Sequence, residues 1–332
     1  MVYLAFCQHG EAVMTESEHS LKKVVLFAAS TVVIPVLSQL LQQKQLAGVV
    51  LIERIDQDSH QLEQQLIQAQ IPYIRYQVQA PEITVLQMQN WQGDIGLVFT
   101  FSHILPNSIL TQPKHGIFNL HASALPKYKG PMPLYWQIRN GETSSQISII
   151  KMEQAIDSGD IVLQQPLVIS SLDTLQSLYT KVSQQSVGLV AKFLDLFTSE
   201  IPLLGIPQQG ESTQAPLPVE SDLLIDWQKM TGDDISNAAR AGNPILNGIT
   251  FIWGNAHIGL LQATVIQHPT FGVPAGTVVH VGEPEGLIVA TSDSAVRIDV
   301  IAISEGVYSG LAFANHFKVD AGVQFKTPDN VK

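Results

Sequence analysis

Apolar and polar positions follow two different rhythms along this chain. Through the first two hundred residues, short continuous apolar runs take turns with segments whose apolar residues recur every three or four positions. Val24–Ala29 is the first such run, as expected of a strand buried on both faces. Val33, Val36, Leu37, Leu40 and Leu41 then recur at helical spacing, with Pro35 near the helix start. The same alternation predicts strands at Gly48–Ile52, Tyr73–Tyr76, Ile95–Phe101, Ile117–His121, Ile147–Met152 and Ile161–Ile169. It predicts helices at Ser59–Gln70, Ile83–Asn90, Pro133–Arg139 and Thr174–Thr198. Strand–helix alternation of this kind implies an α/β domain built on an open, mostly parallel, Rossmann-like sheet.

The rhythm changes after Ile206–Leu217, a stretch rich in Pro, Gln, Ser and Thr that reads as a linker. One helix around Asp233–Ala241 leads into short runs at Ile249–Trp253, Ile258–Leu261, Gly276–Val281, Gly286–Ala290 and Val296–Ala302, separated by glycine-containing turns. Short strands at that spacing predict a smaller β-barrel-like domain of the OB type. The expected division is a polar extension at 1–20, a main domain at 21–205, a linker at 206–220 and a β-rich domain at 221–332. Met14 is an alternative start.

Composition narrows the function. A formal charge of −11, from 18 basic and 29 acidic residues, has the wrong sign for broad capture of nucleic acid or an anionic membrane. It leaves room for a small anionic ligand at a local basic patch. The single cysteine, Cys7, excludes an intramolecular disulfide and a cysteine-based zinc cluster, and points to a reducing, cytoplasmic setting. Val24 to Leu41 is free of charge and approaches the length of a membrane span, with a signal anchor as the competing reading. Ser30, Thr31 and Pro35 interrupt it where a buried strand would turn into a helix, so no membrane association is expected.

The turn after the first strand is Ala28-Ala29-Ser30-Thr31, with neither a G-x-G-x-x-G nor a P-loop to cradle phosphates. A G-x-S-x-G elbow and an H-E-x-x-H pair are also absent, so no metal is expected. The informative stretch is Gly116 to Gly130. Asn119 and His121 sit two apart at the end of a strand, which places both side chains on one face. Ligands bind at the carboxyl ends of strands in such sheets. A carboxamide and an imidazole there suit acyl transfer, in which an oxyanion is stabilised and a proton moved. Further on, Met152 to Asp160 holds Asp157 in a Ser-Gly turn, from which a carboxylate can orient a histidine. On spacing alone the plainer reading also stands: a packed histidine, a turn-forming Asn119 and a turn-capping Asp157.

Together these stretches resemble the folate-dependent formyltransferase family, which includes enzymes acting on methionyl-tRNA, glycinamide ribonucleotide and amino sugars. The family pattern Asn-x-His-x-Ser-Leu-Leu-Pro-x-Tyr-x-Gly is met by Asn119, His121, Ser123, Ala124, Leu125, Pro126, Tyr128 and Gly130, with Ala124 replacing a leucine. The later Asp-x-Gly-Asp turn is met by Asp157 to Asp160, and Trp136 to Glu142 matches the helix end between them. The second domain is similar at Ile225–Trp227, Asn237–Pro244, Gly276–Val278 and Ala314–Phe317. The resemblance implies 10-formyltetrahydrofolate as donor, an amine as acceptor, and Asn119, His121 and Asp157 as the catalytic trio. It further implies a donor pocket lined by His103, Ile104 and Leu105, by Ser123, Ala124, Leu125 and Pro126, and by Gln154, Ala155 and Ile156. For His103 a helix-capping or solvent-facing role is the alternative.

Within that family the departures bear on the acceptor. Relatives acting on initiator tRNA carry a long basic loop after the second strand; here Ile52 to Asp58 is short and acidic. From residue 210 onward six Lys/Arg stand against thirteen Asp/Glu, in the domain that helps grip tRNA in that family. Phosphate contacts dominate nucleic-acid affinity. A small amine acceptor is therefore expected, a nucleotide-linked amino sugar or a hydroxyornithine-like amine, with tRNA disfavoured. Transfer to methionyl-tRNA is the first alternative, and a formyltetrahydrofolate hydrolase or folate-binding protein the second.

Overall fold

The computed structural model describes residues 22–198 and 204–328. The extension at 1–20, with Cys7 and Met14, lies outside the described residues. The first domain is a seven-stranded sheet in the order β3-β2-β1-β4-β5-β6-β7. Its strands are β1 (Val24–Ala28), β2 (Leu46–Leu51), β3 (Tyr73–Arg75), β4 (Ile95–Phe99), β5 (Ile117–His121), β6 (Ser144–Lys151) and β7 (Ile161–Val168). The first five are parallel, and β6 and β7 are antiparallel. A parallel strand needs its crossover to carry the chain back to the start of the sheet. The connection after β5 contains only α5 (Pro133–Arg139), about 10 Å of helix against roughly 17 Å of strand, so β6 enters from the same end at which β5 leaves.

The charge-free stretch Val24 to Leu41 forms β1, a 3-10 turn at Thr31–Val33 and all but the last residue of α1 (Ile34–Gln42). Among the described residues no helix is long and apolar enough to cross a membrane. Helices α1, α2 (Gln57–Gln68), α5 and α6 (Leu175–Asp195) cover one face of the sheet, where Leu26, Leu97, Phe118 and Leu120 join Leu40, Leu62 and Phe193 in the larger core. The other face has only α3 (Pro81–Trp91) and α4 (Asn107–Leu110), packed over Val25, Phe27, Val98 and Ile117. That asymmetry leaves the β5 end of the second face to loops. β7 is the outer edge; Pro166 interrupts its donors, and Ile206 of the interdomain segment pairs with Ile161.

In the second domain α7 (Gly232–Gly242) precedes β8 (Ile249–Trp253), β9 (Ala256–Ile266), β10 (Val278–Gly282), β11 (Gly286–Ala290), β12 (Ala295–Ile303) and β13 (Gly306–Ser309). The antiparallel order is β10-β11-β12-β9-β8, with β13 on β12. The last described segment closes this sheet: Lys326 exchanges backbone hydrogen bonds with Ile252, while Phe325 and Val323 bond to Gly276 and Val278. Trp227, Phe251, Phe313 and Phe325 fill the interior. β13 and α8 (Gly310–Phe317) are additions to the expected elements.

The domains meet at Arg240 on α7. It is 8% exposed, and its guanidinium donates to the carbonyls of Ser170, Asp173 and Ile138 in the first domain and to Asn237 Oδ1. Burial lowers its pKa, while Asp173 opposes that shift. A buried guanidinium with its donors satisfied fixes the docking geometry.

Candidate active site

β5 delivers the central pair. Along it Phe118 and Leu120 enter the larger core, so Ile117, Asn119 and His121 point to the thinly covered face. The strand ends at His121, and the chain continues as a loop through Gly130. From the other side the turn between β6 and β7 brings in Asp157. Its φ of +47° is a left-handed conformation that Asp tolerates better than most residues. Gly159 completes that turn, where a Cβ would strike the Lys151 carbonyl.

Asp157 is the hub. Its Oδ1 accepts from Asn119 Nδ2 at 3.0 Å, and its Oδ2 accepts from the Gly130 N–H at 2.8 Å. The same Oδ2 lies 3.5 Å from His121 Nδ1, with both side chains about nine-tenths buried. On the far side of the ring, His121 Nε2 is 2.8 Å from the Tyr128 carbonyl. A carbonyl only accepts, so Nε2 carries a proton and Nδ1 is the nitrogen turned to the carboxylate. Asn119 uses one of its two amide hydrogens on Asp157, and the second remains for a substrate oxygen. The result is a preorganised donor beside a nitrogen–carboxylate pair able to hold or pass a proton, an arrangement suited to acyl transfer.

Tyr128 and Gly130 hold this geometry through their backbones, which residue identity in a motif does not reveal. Tyr128 sits at φ +60°, and Gly130 at φ +116°, where a Cβ would lie 2.9 Å from the Ala215 carbonyl. The Tyr128 hydroxyl donates to Glu142. Burial raises its pKa, so it stays a neutral donor. The segment expected as a linker crosses these loops. Thr213 Oγ1 accepts from the Tyr128 N–H, the Lys129 N–H donates to the Thr213 carbonyl, the Ala215 N–H donates to the Lys129 carbonyl, and Gln208 Nε2 donates to the carbonyls of Asp157 and Gly159. Its Pro/Gln/Ser/Thr composition gives no signal of this, because most of the contacts run through backbone atoms.

The structure brings Asn119, His121 and Asp157 together. The expected donor-lining residues divide. Leu105 packs in the core under β4, and Leu125 is buried; Ser123 is fully buried with its hydroxyl on the Lys127 carbonyl. Ala124 and Pro126 are half-buried, whereas Gln154, Ala155, Ile156 and Ile104 are exposed. His103 is half-buried against Tyr76 and Phe101 and does not cap α4, whose N-cap is Pro106. Two buried polar atoms after β4, Thr100 Oγ1 and His103 Nε2, have no partner, and Ile104 and Ile156 are 67% and 56% exposed. Orphaned hydrogen-bonding atoms and bare apolar side chains suit a flat heteroaromatic ring with polar edges. Among the described residues no group of three or more His, Cys, Asp or Glu stands together to hold a metal.

Comparison with known proteins adds to this geometry. Residues 21–193 match the family model described as formyl transferase, and residues 219–318 the model of the formyl transferase C-terminal domain. A methionyl-tRNA formyltransferase from Halalkalibacterium halodurans is 34% identical over 226 residues, 68% of this chain and 69% of its own. Among solved structures, an N-formyltransferase from Helicobacter canadensis, in complex with folinic acid and dTDP-3-aminofucose, superposes with a TM-score of 0.63 at 18% identity. The alignment covers 86% of this chain and all of that one. A variant of HypX from Aquifex aeolicus superposes with a TM-score of 0.61 at 16% identity over 92% of this chain. This chain spans about half, 49%, of that protein's length.

Proposed function

The chain belongs to the formyl transferase family and is a formyltransferase, and on that premise we propose that it carries a formyl group from 10-formyltetrahydrofolate to a small primary amine, with Asn119, His121 and Asp157 as its catalytic residues. The observation that carries the chemistry is Asp157 joining the Asn119 amide to the His121 ring. The orphaned Thr100 and His103 atoms and the bare Ile104 and Ile156 support a pterin-bearing donor. When bound, that donor supplies an activated formyl carbon. The free Asn119 N–H then donates to the formyl oxygen as negative charge develops there. The His121 Nδ1 and Asp157 Oδ2 pair takes the proton released by the attacking amine and returns it to the nitrogen from which the formyl carbon departs. The products are a formamide and tetrahydrofolate.

Charge bears on the acceptor. In the loop after β2, Arg54 is tied to Asp56, which caps α2, and on β3 Arg75 is tied to Glu63 of α2. In the second domain Lys229 pairs with Asp226 and Arg297 with Asp299, while Arg240 is buried in the domain interface. These cations are committed to local partners, which weakens their pull on a phosphate backbone. Methionyl-tRNA is the second reading, and the named relatives favour it more directly than they favour a small amine. The test is release of tetrahydrofolate from 10-formyltetrahydrofolate with nucleotide-linked amino sugars, hydroxyornithine and methionyl-tRNA offered separately. Turnover with an amino sugar or hydroxyornithine is expected. Turnover confined to methionyl-tRNA at physiological salt replaces the acceptor. Release without any amine, abolished in His121→Ala, identifies a hydrolase.

A further inference from the structure

The interdomain segment is stapled to both loops that hold the reactive pair. One staple is at Tyr128, whose carbonyl fixes His121 Nε2 while its own N–H donates to Thr213 Oγ1 at 2.9 Å. The neighbouring Lys129 N–H donates to the Thr213 carbonyl, and the Ala215 and Met132 N–H groups extend the ladder. The other is at Asp157, whose carbonyl accepts from Gln208 Nε2 at 2.8 Å; the same amide donates to Gly159 at 2.9 Å. Tyr128 and Asp157 are both non-glycine residues in left-handed conformations, which persist only where surrounding contacts over-determine them. One side chain from the segment is bonded to the backbone of each.

We infer that Thr213 and Gln208 are positioning residues of the formyl-transfer site, acting through Tyr128 and Asp157 to set the tautomer and orientation of His121. The inference rests on the reading of His121 and Asp157 as the proton-handling pair. The Thr213 hydroxyl holds the N–H of Tyr128, the residue whose carbonyl demands a proton on Nε2, and Gln208 fixes the turn that presents Oδ2 to Nδ1. Without either contact the loops gain alternatives, and the fraction of molecules with the productive ring geometry falls. Neither residue touches the reacting atoms, so binding of donor and acceptor is unaffected while the chemical step slows.

The test uses the full chain and the variants Thr213→Val, Thr213→Ser and Gln208→Met. Thr213→Val and Gln208→Met are expected to lower kcat about tenfold, the effect of one well-placed hydrogen bond. KM values stay within about twofold, and Thr213→Ser restores kcat. Imidazole nitrogen-15 NMR reads the tautomer directly, with the His121 signal assigned by its loss in His121→Asn. The wild type is expected to show protonated Nε2, and Thr213→Val a mixture of tautomers. Wild-type kcat in both variants overturns the inference, as does an unchanged His121 signal in a slowed Thr213→Val. A fall in kcat for Thr213→Ser equal to that for Thr213→Val, with a matching drop in Tm, assigns the segment a merely structural role. If the wild type turns over no donor, the proposed function fails, and the nitrogen signals still decide whether Thr213 sets the His121 tautomer.

Discussion

The two domains place their polar groups to different ends. In the second domain charged side chains close local contacts. Arg297 binds Asp299, which also accepts from Thr264, and Asp293 accepts from Thr291, Ser294 and the Gly232 N–H. In the first domain, at the carboxyl ends of β4 and β5, polar groups converge without closing. His121 Nδ1 faces a carboxylate at 3.5 Å, one Asn119 hydrogen is spare, and Thr100 Oγ1 and His103 Nε2 are buried without partners. Three non-glycine residues there, Thr100, Tyr128 and Asp157, have left-handed backbones. The second domain also buries an indole nitrogen, Trp227 Nε1, without a hydrogen-bond partner; what distinguishes the first-domain site is that several such groups gather beside a nitrogen–carboxylate pair, in reserve for a ligand.

The largest break in that contrast is at His121. His121→Ala is expected to lower kcat by roughly 10²–10⁴-fold, the usual contribution of a placed acid–base group, with an unfolding midpoint close to that of the wild type. Activity within tenfold of the wild type would move the chemistry elsewhere. Next in size is Arg240→Met, which strips several first-domain carbonyls of their donor. A loss of about 3 kcal/mol in chemical denaturation is expected, with kcat of the folded protein nearly unchanged. A loss of activity without a loss of stability would contradict the scaffold role.

A pH titration probes the same interface with a smaller effect. Burial pushes the Asp173 carboxyl up, but hydrogen bonds from Lys181, the Ser170 N–H and Ser177 outweigh it and hold the group below its usual 3.8. A depressed carboxylate stabilises the fold above its unfolded pKa, and that stabilisation fades as pH falls below about 4 towards the folded value. Asp173→Asn is expected to cost stability at neutral pH and to flatten the acid limb of stability against pH. An acid limb as steep as that of the wild type would exclude Asp173 as its source. The smallest effect is expected at Lys318 and Lys326, for which the described residues show no ion-pair partner. Lys318→Glu with Lys326→Glu should change stability by less than about 0.5 kcal/mol and leave small-amine turnover intact. A selective loss of methionyl-tRNA turnover in that double variant would give the second domain a nucleic-acid surface.

Much of this was legible in the residues. β1, β4 and β5 are continuous apolar runs because parallel central strands are buried on both faces, and the two-residue Asn119–His121 spacing on a strand puts the pair on one face. The reversal at β6 lies in the length of its connection and not in its residues, because α5 is too short to carry the chain back along the sheet. α8 escaped because Gly310–Phe317 is short, apolar and opened by glycine. At the candidate site the meeting of Asn119, His121 and Asp157 was legible because side chains carry it. Thr213, Gln208 and the Tyr128 carbonyl were not, because they act on or through backbone groups that any residue possesses.

One feature of the first sheet reaches beyond catalysis. A strand edge with free backbone groups is a template on which another chain can pair, the first step towards aggregation. On β7, Pro166 removes a donor midway along the strand, and Ile206 occupies the backbone of Ile161. The segment that braces the loops therefore also seals the start of the outermost strand. Proteolytic nicking between the domains would uncover that edge, so colloidal stability and the integrity of the crossing segment should fail together.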